Sequence, residues 1–385
     1  MKEGWTYKKL GEVCEVISGQ SPDGKTYNND GIGTPFYQGK KDFSLKFIGA
    51  PTTWTTQETK IAIKDDILMS VRAPVGDVNY ATQRVCIGRG LAAIRPGEFL
   101  DKDFLFYFLL AEKKNITGKE GAVFPSINRK EIMDILISYP SINEQQRIVE
   151  RFDSAFENID KLKANAEKQL SEAQTLFQKS LAKAMEPKEG WEEKTLKEIV
   201  LTITDGDHQP PPKSNEGIPF ITISNINKDS NKIDFEDTFY VPQHYFDGLK
   251  TDRIPQEGDV LYTVTGSFGI PVLIDYKKDF CFQRHIALIR PNQKMLFSKY
   301  LYYWILSDYA KVQAEDTATG AAQRTVSLNS LRKFRISIPP LTVQQRIVER
   351  LDSLSENVRK YEKIQRQIIS ECDALKQALL RKVFE

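Results

Sequence analysis

A repeated pattern constrains this sequence more than any other feature. The seven residues 145–151, QQRIVER, return unchanged as residues 344–350, which is an offset of 199 positions. The run Lys-Glu-Gly-Trp at 2–5 returns at 188–191, in the same order and at an offset of 186. Two ordered matches of this kind indicate an internal duplication. The sequence therefore predicts two copies of one unit, and the second copy has 13 more residues between the matches.

Each copy ends in a long segment with helical periodicity. Apolar residues recur at steps of three and four from Asn143 to Glu186 and again from Thr342 to Phe384. This spacing over about six heptads is typical of a coiled-coil seam. Because each segment has only one narrow apolar stripe, we expect the two helices to pair with each other in antiparallel orientation. In the alternative arrangement, each helix packs only on its own globular part.

The segments before these helices have a mixed pattern of α and β structure. Ile67–Val71 and Val260–Val264 predict strands, whereas Phe104–Ala111 and Tyr300–Tyr309 predict short, largely buried helices. We therefore predict an α+β fold with an internal pseudo-two-fold repeat. Its four predicted parts are a first mixed α/β domain (1–141), a central helix (142–187), a second mixed α/β domain (188–340) and a C-terminal helix (341–385) that pairs with the central one.

Composition and charge exclude several classes of protein. Hydrophobic residues make up 40% of the chain and charged residues 28%, which excludes a disordered or collagen-like chain. The sequence has neither a secretory signal nor an apolar run of the roughly 20 residues that a membrane span needs, so we expect a cytoplasmic protein. The net charge of +2 provides no strong overall attraction for a polyanion. Four scattered cysteines and three histidines argue against a zinc site or a disulfide framework.

Patterns that would support catalysis are weak. The run Gln209–Pro212 lacks the final aromatic residue of the amino-methyltransferase tetrapeptide, and no glycine-rich cofactor loop follows a strand. Pro22-Asp23 with Glu58–Lys60 fits a loose pattern of magnesium-dependent nucleases, but Pro22–Gly24 favours a simple turn and the second copy has no counterpart. We therefore expect no catalytic and no metal-binding residues in this chain.

Loops in both globular parts combine basic, amide and hydroxyl side chains, the types that contact DNA bases and phosphates. Arg89 and Arg284 align between the copies at predicted strand starts; the alternative for these two is a structural ion pair with a carboxylate. The candidate DNA-binding residues are Gln38, Lys40, Lys41, Ser70, Arg72, Arg84 and Arg89 in the first part, and Asp207, His208, Gln209, Lys213, Thr265, Ser267, Arg284, Gln323 and Arg324 in the second.

The identical helix starts predict a second kind of surface. A helix start needs a cap and a few packing residues, but it does not need seven identical positions. We therefore expect a shared docking surface for two equivalent partners. The candidate docking residues are Gln145, Arg147, Arg151, Gln344, Arg346 and Arg350.

This arrangement resembles the specificity subunit of type I restriction–modification enzymes. The resemblance covers the whole chain, and its most specific part is the duplicated helix start. The first half departs from the pattern, because Tyr139–Ile142 replaces a double proline and Gly19–Pro22 replaces the Asp-Gly-x-His segment. The segments that carry the resemblance are Lys188–Trp191, Asp205–His208, Ile338–Leu341, Gln344–Ile347 and their first-half counterparts.

The resemblance implies a non-catalytic subunit. Each globular part would be a target recognition domain that reads one half of a bipartite double-stranded DNA sequence, and the helices would hold the two domains apart. Two methyltransferase subunits carrying S-adenosylmethionine would dock on the conserved regions. Restriction subunits that use ATP and Mg²⁺ would join that complex, so no cofactor is expected on this chain. The alternative is a coiled-coil adaptor that binds only proteins.

Overall fold

The computed structural model of the chain describes residues 2–116, 125–206, 208, 211–321 and 323–385. The chain forms two compact units. Unit 1 contains Met1–Glu167 together with Arg366–Glu385, and unit 2 contains Lys168–Gln365. Each unit has its own principal hydrophobic core.

The described part of unit 1 combines short strands with helices. Its strands are β1 (Thr6–Lys9), β2 (Cys14–Ser18), β3 (Tyr27–Asn28), β4 (Thr34–Tyr37), β5 (Trp54–Thr55), β6 (Ile61–Ala62), β7 (Ile67–Ser70), β8 (Val78–Tyr80), β9 (Val85–Ile87), β10 (Leu91–Pro96) and β11 (Leu136–Tyr139). Its helices are α1 (Leu10–Val13), α2 (Lys102–Glu112), α3 (Arg129–Met133), the first part of α4 (Ile142–Met185) and the end of α10 (Leu341–Phe384).

Unit 2 continues the chain in a similar order. Its strands are β12 (Glu192–Thr195), β13 (Val200–Asp205), β14 (Ile218–Ile221), β15 (Ile226–Asn227), β16 (Lys232–Ile233), β17 (Phe239–Val241), β18 (Val260–Thr263), β19 (Pro271–Leu273), β20 (Cys281–Phe282), β21 (Ile286–Pro291) and β22 (Arg335–Ile338). Its helices are the end of α4, α5 (Leu196–Ile199), α6 (Gln243–Asp247), α7 (Ser298–Leu306), α8 (Asp308–Thr317), α9 (Leu328–Arg332) and the first part of α10 (Leu341–Phe384).

The sheets confirm the predicted duplication. Unit 1 has a four-stranded sheet in the order β2-β10-β7-β8, and unit 2 has the same sheet as β13-β21-β18-β19. Both sheets are antiparallel throughout. Each unit also pairs its first strand with its last, β1 with β11 and β12 with β22. A second sheet in each unit contains one parallel pair, β4 with β9 and β14 with β20.

The inner strands β7 and β18 are each buried on both faces, which explains their continuous apolar runs. In β7, Ile67 and Met69 belong to the main core of unit 1, and Leu68 belongs to a separate cluster on the other face.

A buried aspartate lies just before each of the strands β7 and β18. Arg95 Nε and Nη2 donate to the two carboxylate oxygens of Asp66, both at 2.8 Å. Arg290 binds Asp259 in the same way at 2.9 and 2.8 Å.

The two long helices are present with nearly the predicted bounds, and each contacts the other within the units. In unit 1, the Lys163 ammonium lies 2.8 Å from an Asp373 carboxylate oxygen, and the Lys376 ammonium lies 2.5 Å from an Asp160 carboxylate oxygen. In unit 2, the Tyr361 hydroxyl donates to Gln169 Oε1 at 2.8 Å.

The start of α4 is fixed by a buried glutamine. Gln145 is 0% exposed. Its Nε2 donates to the carbonyls of Phe99 and Pro140, both at 2.9 Å, and its Oε1 accepts from Asp101 N at 2.8 Å. Asp101 is the N-cap of α2, where its side chain accepts from two backbone N–H groups. One amide therefore joins the beginnings of two helices.

The second copy repeats this arrangement. Gln344 is also 0% exposed. Its Nε2 donates to the carbonyls of Met295 and Pro339, both at 2.9 Å, and its Oε1 accepts from Phe297 N at 2.8 Å. Phe297 is the N-cap residue of α7, so α10 is attached to α7 as α4 is attached to α2.

We predict that Gln145→Met lowers the free energy of unfolding of unit 1 by about 2 kcal/mol or more. The substitution leaves three backbone groups without a partner; the Pro140 carbonyl is buried, and the other two groups are partly buried. A buried backbone group without a partner costs about 1–3 kcal/mol, and a partly buried one costs less. Urea unfolding followed by tryptophan fluorescence measures the change. The exposed neighbour Gln146 is the matched control, and Gln146→Met should stay within about 0.5 kcal/mol of the unmodified protein. Equal effects of the two substitutions would contradict this role.

Candidate functional site

In unit 1, three chain segments meet beside the turn between β9 and β10. The backbone N–H of Gly90 donates to the carbonyl of Gln38, which follows β4, at 3.0 Å. Ser21 joins them, because its Oγ donates to Gln38 Oε1 at 2.9 Å and accepts from Arg89 N at 3.2 Å. The Gly90 carbonyl also accepts from Val71 N at 3.0 Å, which brings the neighbouring Arg72 to the same edge.

We call Ser21, Gln38, Arg72 and Arg89 polar surface 1. The side chains of Gln38, Arg72 and Arg89 are exposed. The tight approach of the segments requires glycine in the turn. A Cβ added at Gly88 would lie 2.7 Å from Gln38 Oε1, and one at Gly90 would lie 2.6 Å from the Gln38 carbonyl oxygen. Polar surface 1 is therefore built on a closely packed backbone.

The remaining candidates of unit 1 lie elsewhere or face inward. Lys40 forms an ion pair with Asp77, and Lys41 is exposed in the turn after β4. Arg84 binds Glu58 at 2.6 Å, near the opposite end of β4 from Gln38. The prediction for Ser70 is wrong, because Ser70 is 2% exposed and its hydroxyl donates to the carbonyl of Arg72 at 3.0 Å. Ser70 thus shapes the turn that presents Arg72.

In unit 2, the equivalent edge carries different side chains. Val264 N donates to the His285 carbonyl at 2.9 Å, and Gly266 N donates to the Arg324 carbonyl at 3.0 Å. These bonds join the end of β18 to the turn between β20 and β21 and to the loop after α8. We call the residues gathered there polar surface 2; they are Ser267, Arg284, His285, Gln323 and Arg324.

Thr265 belongs to the support of polar surface 2 rather than to its exposed face. It is only 6% exposed, and its Oγ1 lies 3.1 Å from Nδ1 of His285. Burial lowers the pKa of His285 below its ordinary 6.5, and electrostatic repulsion, first from Arg284 and then from His208, lowers it further. His285 therefore presents a neutral ring at pH 7. The sequence did not single out His285, because the aligned position in the first copy is Gly90.

Two other candidates of unit 2 lie outside polar surface 2 as defined here. His208 is exposed, and its Nε2 lies 2.9 Å from an Asp205 carboxylate oxygen. The Lys213 ammonium lies 4.9 Å from the centroid of the Phe239 ring, away from the β20–β21 turn. Asp207 and Gln209 fall outside the residues that the structure describes.

Within the described residues, Arg89 and Arg284 do not form the structural ion pair that was the alternative for them. Both residues lie in turns rather than at strand starts, and in the described part of the chain neither has a carboxylate within ion-pair distance. The structural role belongs instead to Arg95 and Arg290, which bind the buried aspartates. Arg89 and Arg284 are exposed.

The helix starts separate into buried and exposed residues. Gln145 and Gln344 are wrong as docking residues, because both are fully buried and their amides are used within the chain. Arg147, Arg151, Arg346 and Arg350 are exposed. Arg147 lies 3.3 Å from Glu144 in an exposed ion pair one turn away. The docking prediction therefore retains only the four arginines.

The described residues contain no group of three or more His, Cys, Asp or Glu side chains that could hold a metal ion. Glu58, which the nuclease pattern includes, is bound by Arg84 and by the Thr34 hydroxyl. The hydrogen bond from Arg84, followed by that from Thr34, lowers the pKa of this carboxyl. In the same described ranges, no helix has both the length and the apolar character needed to cross a bilayer.

Comparison with known families identifies both halves of the chain. A family profile described as type I restriction modification DNA specificity domain matches residues 2–172 and again residues 188–369. The chain belongs to this family. Family membership makes it a specificity subunit, which is a non-catalytic component of a type I restriction–modification complex that recognises DNA.

Individual relatives agree with this assignment. The putative MjaX specificity subunit of Methanocaldococcus jannaschii is 39% identical over 175 residues, which cover 44% of this chain and 41% of that protein. The MjaIX specificity subunit of the same organism is 23% identical and covers 92% of this chain and 87% of its own length. The EcoBI specificity subunit of Escherichia coli is 19% identical, with 99% and 86% covered.

Solved structures share the fold. A chain from a study of complex assembly and conformational transition of the type I R-M system superposes with a TM-score of 0.81 at 20% identity, covering 99% of this chain and 98% of that one. The HsdS subunit from Thermoanaerobacter tengcongensis gives a TM-score of 0.57 at 20% identity, with 100% and 97% covered.

We predict that the His285 ring titrates with a midpoint below 6.5. Arg284→Ala should raise this midpoint by removing a nearby positive charge, yet leave it below 6.5, because burial is the larger cause. Ring-proton NMR measures the titration, and His285→Gln identifies the signal among three histidines. In the unfolded chain His285 binds a proton more readily than in the folded chain. Its contribution to the free energy of unfolding therefore falls as the pH drops below 6.5. A midpoint above 6.5 in the unmodified protein would contradict the assignment.

Proposed function

We propose that each unit reads one half of a bipartite double-stranded DNA target through its polar surface. One observation carries this proposal. The two units place exposed polar side chains at the same edge of the same sheet topology, yet the side chains differ. A common scaffold with different exposed groups is what two unlike half-sites require.

The chemistry of both surfaces suits the major groove. Arginine can bond to guanine O6 and N7, and glutamine can bond to adenine N6 and N7. Polar surface 1 presents Gln38 with Arg72 and Arg89, and polar surface 2 presents Arg284, Gln323 and Arg324. Lys41 and Lys213, which are also exposed, would contact phosphates. The small net charge of +2 fits a subunit that shares its grip on DNA with larger partners.

The long helices would form the antiparallel coiled coil that sets the spacing of the half-sites. The contacts of Lys163 with Asp373 and of Gln169 with Tyr361 support this, because rising numbers on one helix meet falling numbers on the other. Each helix has 44 residues, and at about 1.5 Å per residue such a helix is roughly 65 Å long.

The partners would be two methyltransferase subunits and the restriction subunits of the system. The four exposed arginines at the helix starts, Arg147, Arg151, Arg346 and Arg350, would contact the methyltransferase subunits at two equivalent sites. S-adenosylmethionine, ATP and Mg²⁺ would bind to those partners in the cytoplasm. This chain would supply sequence recognition and assembly.

The decisive experiment compares genome-wide methylation in the source cell with and without this gene. A bipartite methylated motif should disappear when the gene is deleted and return when it is restored. DNA binding by the purified complex should also weaken steeply with salt, because phosphate contacts release counterions. If the chain assembles its partners but the methylated motif is the same with and without the gene, the adaptor alternative is supported instead.

We predict that lengthening both helices lengthens the spacer of the target. Insertion of one matched turn of four residues near Lys168 and near Gln367 adds about 6 Å. At about 3.4 Å per base pair, the methylated motif should keep both half-sites and gain one or two spacer bases. Sequencing of methylated DNA provides the measurement. Insertion in only one helix serves as the control and should abolish activity, because the apolar stripes no longer match. An active double-insertion variant that keeps the original spacer would reject the proposal that helix length sets the spacing of the half-sites.

We predict that charge reversal at both helix starts weakens assembly. Arg151→Glu combined with Arg350→Glu should reduce affinity for the methyltransferase subunit about tenfold or more, because both exposed cations would be replaced by repelling charges. The control is Lys161→Glu with Lys360→Glu, which reverses two exposed charges on the same helices. Titration by surface plasmon resonance measures both variants. Equal affinities of the arginine variant and the unmodified chain would remove these arginines from the interface.

A further inference from the structure

We propose that Arg324 reads a guanine in the half-site of unit 2, and that Glu315 and Phe268 act as positioning residues for its guanidinium group. This inference rests on the proposed function and adds the identity of one base to it. Arg324 stands out within polar surface 2 because its charged group is held from several directions while it remains at the exposed face.

Two hydrogen bonds and one ring fix the guanidinium. Arg324 Nη1 lies 2.5 Å from Glu315 Oε2, and Nη2 donates to the Glu315 carbonyl at 2.6 Å. The guanidinium carbon lies 5.4 Å from the centroid of the Phe268 ring. Glu315 therefore binds one edge of the guanidinium through both its side chain and its backbone, and Phe268 restricts the position of the group.

The donors that remain suit a guanine. Each terminal nitrogen keeps one further N–H, and within the described residues Nε–H also has no bond. A planar guanidinium with two adjacent free N–H groups matches the O6 and N7 acceptors that guanine presents in the major groove. Because Arg324 is already ordered, binding loses less side-chain entropy than it would with a freely moving arginine.

Stability does not account for this arrangement. The side chains of Arg324 and Glu315 are 45% and 58% exposed, and exposed ion pairs contribute little to folding. The value of the pair therefore lies in the orientation that it gives to the guanidinium.

The backbone that carries Arg324 is equally constrained. Thr325 and Thr319 exchange two backbone hydrogen bonds, at 2.8 and 3.0 Å, which close the loop after α8. Within that loop Gly320 has a φ of +111°, and a Cβ added there would lie 2.4 Å from the Gln323 carbonyl oxygen. The bond from Gly266 N to the Arg324 carbonyl attaches this closed loop beside Ser267.

At the aligned position, unit 1 has a residue unlike Arg324. Ser126 forms an isolated β-bridge with Arg72, as Thr325 does with Thr265, so the two units can be aligned at this point. The residue before Ser126 is Pro125, which has no side-chain donor. The contact that we assign to Arg324 therefore belongs to the half-site of unit 2 only.

The test uses the assembled methyltransferase complex and double-stranded oligonucleotides that carry its methylated motif. Each guanine of the unit 2 half-site is replaced in turn by 7-deazaguanine, which lacks only the N7 acceptor. We expect one position at which this change weakens binding about 10-fold or more. With Arg324→Ala, binding to the natural guanine should fall by a similar factor, and the analogue should cause no further loss.

Two further variants separate positioning from folding. Glu315→Gln keeps the arginine but removes the charge that orients it, so it should reduce discrimination between guanine and 7-deazaguanine several-fold. Arg335→Ala is the matched control, because Arg335 forms an exposed pair with Glu193 at 2.6 Å that lies outside polar surface 2. It should change neither discrimination nor the methylated motif.

The outcomes are distinguishable. Absence of any bipartite motif with the unmodified chain would reject the proposed function itself. If the motif is present but no guanine of the unit 2 half-site is sensitive to 7-deazaguanine, the inference is overturned, even where Arg324→Ala fails to assemble. An Arg324→Ala complex that retains full discrimination at the sensitive guanine would also overturn it.

Discussion

The start of each long helix is held by one glutamine amide that bonds to three backbone groups of its own unit. Gln145 connects α4 to the N-cap of α2, and Gln344 connects α10 to the N-cap of α7. The Pro140 and Pro339 carbonyls among these groups are buried, so an apolar replacement of either glutamine would leave a buried acceptor unpaired. The direction in which each helix leaves its sheet depends on this contact, and any spacing that the helices impose depends on that direction.

A second fixed contact supports the polar surfaces. The pair Arg95–Asp66 binds β10 to the residue before β7, and the pair Arg290–Asp259 binds β21 to the residue before β18. The opposite ends of β7 and β18 lead into the turns that carry Arg72 and Ser267. The exposed residues of the polar surfaces thus differ between the units while the sheet below them stays the same, as the proposed reading of two different half-sites requires.

Local periodicity explains what the sequence predicted well. The α4 helix, Ile142–Met185, lies within the predicted 142–187 because apolar spacing repeats along the chain itself. The roles of Gln145 and Arg89 were harder to assign. Identity between the copies could not show that Gln145 is buried, since its partner Phe99 lies 46 residues away. Nor could alignment show which arginine meets a buried aspartate, because Arg89 and Arg95 match their counterparts equally well.

The core of unit 1 is discontinuous in sequence. Phe384 packs against Phe104, Phe108 and Phe152, with ring centroids 5.3, 5.7 and 5.9 Å apart, and the unit includes residues 366–385. Domains usually fold in the order in which the ribosome makes them. Here unit 2 is one continuous segment and can close its core while the last turns of α10 are still unmade. Unit 1 is therefore completed after unit 2, and the faces of Phe104, Phe108 and Phe152 that contact Phe384 stay uncovered until translation reaches that residue.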